Sequence, residues 1–125
     1  MKSNVVGWFE IPVKDLTRAI SFYETVFKLK INVQDFGDVR MGWFPNEDDK
    51  PGSSGALIQY KDYVPSKTDG VLIYFNSVEI NNNLEIIKDN GGKILQEKTL
   101  ISPEIGFMAL FIDCEGNRVA LFQSP

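Results

Sequence analysis

The stretch Trp8-Phe-Glu-Ile-Pro-Val-Lys-Asp-Leu-Thr-Arg-Ala-Ile-Ser-Phe-Tyr-Glu-Thr-Val-Phe27 changes its hydrophobic period once, and that change decides the fold. Up to Val13 the apolar residues Phe9, Ile11 and Val13 alternate with Trp8, Glu10 and Pro12, so a strand is expected over 4–13. Pro12 suits the exit of that strand into a loop. Asp15 is an N-cap residue by type. From there Leu16, Ala19, Ile20, Tyr23, Val26 and Phe27 recur at steps of three and four, the stripe of an amphipathic helix of about three turns. Lys28 and Lys30 follow at its C-terminal end, where positive charge complements the helix dipole.

Working outward, strands are expected over 30–36, 39–44 and 55–60, with a polar loop at 46–54 and a charged linker at 61–69 that contains Pro65. The order then recurs. A strand over 71–77 leads into a helical stripe of Ile80, Leu84 and Ile87, closed by Gly91-Gly92. Strands follow over 93–101, 106–113 and 118–123, the last two joined by a turn at 114–117. A shift of 64 positions lays Asp15 on Glu79, Leu16 on Ile80, Ile20 on Leu84 and Ala56-Leu-Ile-Gln59 on Ala120-Leu-Phe-Gln123. The third strand of each half needs 67 instead, which lays Met41 on Met108 and Phe44 on Phe111. Identity between the halves is low, so what repeats is structure.

Composition bounds the function. The 125 residues make one domain with one core. Apolar residues are 43% and charged residues 24%, ordinary for a globular chain. Thirteen basic against seventeen acidic residues give a net charge of −4, which argues against nucleic acid as a partner. No apolar run reaches the roughly 20 residues of a membrane helix, and no signal peptide is expected from Met1-Lys-Ser-Asn-Val-Val6. The single Cys114 excludes an internal disulfide and fits a cytoplasmic location. Histidine is absent, which excludes a Ser-His-Asp triad, a Cys-His pair and a His-ligated zinc or iron site. A metal here would need oxygen ligands alone, as magnesium, manganese or calcium accept.

The first stretch quoted, together with Leu72-Ile-Tyr-Phe-Asn-Ser-Val-Glu79, Asn90-Gly-Gly-Lys93 and Gly106-Phe-Met-Ala-Leu-Phe-Ile-Asp-Cys-Glu-Gly-Asn-Arg-Val-Ala-Leu-Phe122, resembles the vicinal oxygen chelate superfamily over essentially the whole chain. That superfamily includes glyoxalase I, the bleomycin- and fosfomycin-resistance proteins and the extradiol dioxygenases. The resemblance implies an α+β fold in which two βαβββ modules, about 1–62 and 69–125, form a rolled, half-barrel-like mixed sheet with the helices outside. It also implies a cleft that, in metal-dependent members, holds one divalent ion. The corresponding ligand slots are Trp8 and Ala120 by motif, and Leu72 and Ala56 by the 64-residue shift. None of these side chains binds a metal, so no metal and no cofactor are expected.

Strand alternation then sorts the faces. Trp8 with Glu10, Ala56 with Ile58, Leu72 with Tyr74 and Ala120 with Phe122 are expected to line the cleft. Phe9, Ile11, Leu57, Ile73, Phe75 and Leu121 are expected to pack under the helices. The cleft reads as an aromatic and aliphatic cup carrying one carboxylate, Glu10, and one phenol, Tyr74, its pseudo-symmetry mate. Arg40 and Trp43 on the third strand complete the set of ligand-binding candidates. Tyr23 reads as core, Glu47-Asp48-Asp49 as a solvated loop, and Asp113, Glu115 and Gly116 as hairpin chemistry. Cys114 lacks a partner that would activate it.

Three functions are consistent with these residues. One is a metal-independent protein that holds a small molecule in the cup. A second is a lyase-, isomerase- or dioxygenase-like enzyme, with only Glu10 or Tyr74 available as acid or base. The third is an interaction protein whose cleft is filled by its own side chains. The acidic balance favours a cationic or neutral ligand, no membrane partner is expected, and the resemblance together with open sheet edges points to a homodimer.

Overall fold

The computed structural model describes residues 5–47 and 49–125. Its elements are β1 (Trp8–Pro12), α1 (Leu16–Phe27), β2 (Asn32–Asp35), β3 (Arg40–Trp43), β4 (Ser54–Gln59), β5 (Tyr74–Asn76), α2 (Ile80–Asp89), β6 (Lys93–Ser102), β7 (Gly106–Ile112) and β8 (Arg118–Gln123). They form two four-stranded sheets of identical order, β1-β4-β3-β2 and β5-β8-β7-β6, with no closed barrel. In each sheet the first and fourth strands are parallel and the others antiparallel. This is the α+β, two-module architecture expected from the sequence.

Both helices begin where the sequence places a carboxylate cap. The Asp15 side chain accepts from the Arg18 backbone N–H, and that of Glu79 accepts from the Asn81 N–H. α1 ends at Lys28 in the left-handed region, φ 55°. α2 ends at Asn90, and Gly91 supplies the following left-handed turn at φ 94°.

The repeat recurs in the hydrogen bonds. The Gln59 side-chain carbonyl accepts from Leu16 N–H at 2.7 Å, and Gln123 accepts from Ile80 N–H at 2.8 Å. Both bonds tie the first turn of a helix to the end of the strand parallel to its predecessor.

One face of the two sheets carries the core. Leu16, Ala19, Phe22, Tyr23 and Val26 of α1 and Ile80, Leu84 and Ile87 of α2 pack with Ile11, Leu57, Phe111 and Leu121, and with the partly buried Phe9 and Phe75. The modules join through rings: Phe75 lies 6.0 Å from Phe9, 5.7 Å from Tyr23, 4.7 Å from Phe27 and 5.6 Å from Phe44, centroid to centroid. The opposite face carries no helix. Met41, Ala56 and Ile58 form a separate buried cluster there.

Four strands are shorter than expected by two residues or more: β2 covers Asn32–Asp35, not 30–36, β3 covers Arg40–Trp43, not 39–44, and β1 and β5 are cut back further. β1 starts at Trp8; Asn4 lies outside the described residues, as do the rest of 1–4 and Asp48. β5 covers only Tyr74–Asn76, not 71–77. The reason is the linker: the Arg118 N–H donates to the Ser66 carbonyl, and the Asn117 side-chain carbonyl accepts from the Ser66 N–H. The first residues of β8 are thus paired with the linker, and β5 gains a partner only where Ala120 N–H reaches the Ile73 carbonyl. Ile73 consequently leaves the core and lines a cavity beside the linker. β6 is the outer strand of the second sheet, ten residues long, and its ladder with β7 shifts register three times.

Candidate ligand-binding face

The helix-free face is built on two alanines. Ala56 on β4 pairs with Glu10 on one side and Trp43 on the other. Ala120 on β8 pairs with Tyr74 and Leu110. Both alanines are fully buried. The side chains around them stand clear: Trp8 is 43% exposed, Trp43 38% and Tyr74 50%. Trp8 and Trp43 meet edge to face with centroids 6.0 Å apart. The Trp8 indole N–H donates to the Glu10 carboxylate at 3.2 Å, which holds both side chains over β1. On the second sheet Met108 and Phe122 share this face and are half-buried. Gln96 donates to the Met108 sulfur and to Thr99.

Trp8, Glu10, Trp43, Ile58, Tyr74 and Phe122 are thereby placed on one face. Ile58 is buried in the small Met41 cluster beneath it. Arg40 stands apart: by register it shares the other face with Gly42 and Gln59, and its guanidinium lies 3.8 Å from Asp35 on the neighbouring strand. Leu72 precedes β5 and is half-buried.

The acidic hairpin does more than turn the chain. Asp113, Glu115 and Asn117 are all buried. Asp113 accepts from the Tyr23 hydroxyl at 2.7 Å, from the Glu115 and Asn117 N–H groups and from the Asn117 amide. Burial pushes both the Asp113 carboxyl and the Tyr23 phenol above their ordinary values. Glu115 accepts from the Lys14 and Asp15 N–H groups, each at 2.8 Å, and from Arg18 through two nitrogens at 2.6 and 3.0 Å. Burial raises the Glu115 carboxyl, but Arg18 and the backbone donors outweigh it and hold the group at about 2. Burial and then the Glu115 carboxylate push the Cys114 thiol well above its usual value, the opposite of what a nucleophile requires. This cluster fastens the second sheet to α1.

The sequence reading did not single out Arg118 or Asp69. With Glu10 and Ser66 they line a cavity of about 230 Å³ between the linker, the end of β1 and the start of β8. The signal was present: Arg118 has the parity of Ala120 and Phe122 and so belongs to the helix-free face. Glu47 and Asp49 are exposed, and among the described residues no group of three His, Cys, Asp or Glu side chains is arranged to hold a metal ion. The four slots expected for metal ligands carry an indole, two methyl groups and an isobutyl group, which do not fit a divalent cation. Among the described residues no helix is long and apolar enough to cross a membrane.

Comparison with known proteins agrees with the fold. The profile of the Glyoxalase/Bleomycin resistance protein/Dioxygenase superfamily matches residues 5–121. A glyoxylase-like domain-containing protein of Didymella fabae is 27% identical over 96% of this chain and 94% of its own length. Among solved structures, a mutant glyoxalase I from Zea mays superposes with a TM-score of 0.73 at 21% identity, over 94% of this chain but 46% of the maize chain. The chain thus spans about half the length of that relative. The fosfomycin resistance protein FosX of Listeria monocytogenes gives a TM-score of 0.68 at 20% identity, over 100% of this chain and 94% of the other.

Proposed function

Since this chain belongs to the glyoxalase/bleomycin resistance protein/dioxygenase superfamily, the vicinal oxygen chelate proteins, we propose that it holds a small organic molecule on its helix-free face without the help of a metal ion. The observation that carries this reading is the exposure of three large rings, Trp8, Trp43 and Tyr74, around two buried alanines on the helix-free face. Rings left bare on a rigid sheet offer stacking area at little entropic cost, and an adjacent carboxylate orients a guest. Glu10 is that carboxylate. It accepts from Trp8 through one oxygen, and its other oxygen has no hydrogen-bond partner among the described residues.

The chain reports on this face by itself, because its two tryptophans are both there. Titration with a broad panel of planar metabolites and drugs, read by tryptophan fluorescence and thermal shift, is expected to yield binders. Trp8→Ala is expected to weaken them at least about tenfold while leaving the exposed position's fold intact. Silence across the panel, or binding indifferent to Trp8→Ala, overturns the reading. Binding that appears only with added divalent cation overturns its metal-free part.

A further inference from the structure

The cavity beside the linker holds opposite charges that do not touch. Glu10, Asp69 and Arg118 line the same space of about 230 Å³. Among the described residues the Arg118 guanidinium has neither an ion pair nor a side-chain hydrogen bond, whereas Arg18, Arg40, Lys88 and Lys98 each lie within 4.0 Å of a carboxylate. The Arg118 backbone is fixed by its bond to Ser66, and the Ser66 hydroxyl in turn accepts from the Thr68 and Asp69 N–H groups. The roof is therefore built, and it holds Asp69 across from β8. Apolar walls come from Ile73 and Val71. Glu10 belongs both to this cavity and to the aromatic face, through its bond to Trp8.

We propose that this cavity takes the charged head of a small zwitterion: its carboxylate on Arg118, its ammonium at Glu10 and Asp69, and its apolar part over Trp8. The proposal rests on the reading of the helix-free face as a ligand site and names the ligand's class. A plain anion meets Arg118 but also two carboxylates. A plain cation meets the carboxylates and leaves the guanidinium facing it. A molecule with both signs complements all three groups, and the guanidinium fork matches a carboxylate through two parallel hydrogen bonds.

Three probes of one skeleton test it: L-phenylalanine, phenethylamine and 3-phenylpropanoate, titrated into the ¹⁵N-labelled chain and followed by NMR. The expected result is that L-phenylalanine shifts the Ser66, Thr68 and Asp69 amides and the Arg118 side-chain N–H. It is expected to bind roughly tenfold tighter than either single-charge probe. Arg118→Gln is expected to erase its advantage over phenethylamine, and Glu10→Gln to reduce its advantage over 3-phenylpropanoate. Equal affinity of the three probes, no effect of Arg118→Gln, or no movement of these amides with any probe overturns the proposal. The Trp8 and Trp43 indole resonances keep the two readings separate. Indoles that respond to other compounds while the cavity stays silent leave the aromatic site standing without this one; a cavity that responds while no compound moves the indoles overturns the aromatic site and the placement of the apolar part over Trp8, and leaves only the charged-head contacts.

Discussion

Glu115 is the residue that ties the hairpin to the start of α1. Its side chain is fully buried, and its oxygens face the Lys14 and Asp15 N–H groups and the Arg18 guanidinium. The native carboxyl titrates at about 2, against an ordinary 4.5. The folded state therefore binds this proton less readily than the unfolded chain does. Stability from Glu115 is complete above about pH 4.5 and is lost as pH falls toward 2. Asp113 works in the opposite sense, since its native carboxyl is raised and protonation favours the fold. Urea denaturation of the wild type at pH 7, 5 and 3 is expected to show a steep acid loss. Glu115→Gln is expected to cost about 2 kcal/mol at pH 7 and to flatten that acid limb. An unchanged pH profile in the variant rejects the assignment. Sequence reading recognised the turn but not the latch, because Arg18 and Glu115 lie 97 positions apart and no local pattern links them.

At the scale of elements, the start of the first helix was legible to the residue, since cap type and apolar stripe coincide at Asp15, and the 64-residue shift carries that start to Glu79, which caps the second. The strands were legible in parity but not in length. Alternation reports which face a side chain takes, whereas a strand's end depends on whether its neighbour's N–H groups are free. At β5 the linker had taken one of them. The duplicated glutamines allow a direct test. Gln59→Ala and Gln123→Ala each remove one acceptor from a helix's first turn, and each is expected to cost about 1 kcal/mol. Chemical denaturation should place the two losses within about 0.5 kcal/mol of each other. A large inequality would show that the repeat is one of geometry without shared energetics.

For the molecule as a whole, the aromatic junction decides how it unfolds. Phe75 of the second sheet packs against four rings of the first module. The two halves are expected to melt in one transition. Tryptophan fluorescence reads the first half alone, because Trp8 and Trp43 both lie there, while far-ultraviolet dichroism reads both. Coincident curves are expected for the wild type, and Phe75→Ala is expected to lower stability by about 3 kcal/mol. Separate curves in the wild type would show independent halves. The candidate site was legible through the same parity rule that found this junction, as the exposed rings on one face and Phe9 and Phe75 on the other attest. Of its charged annex the parity rule reaches Arg118 but not Asp69, since a linker without periodicity gives no clue to which strand it will lean on.

The outer border of the second sheet, β6, carries ten residues of backbone with one side unpaired, and Leu95, Leu100 and Ile101 are bare along it. Such a border invites a stray chain to add itself and begin a fibre. Three breaks in register and the exposed Lys93 spoil the template, because an incoming strand cannot keep step for more than a few residues. The irregularity is a safeguard against aggregation, and a version of the chain with that border straightened would trade solubility for neatness.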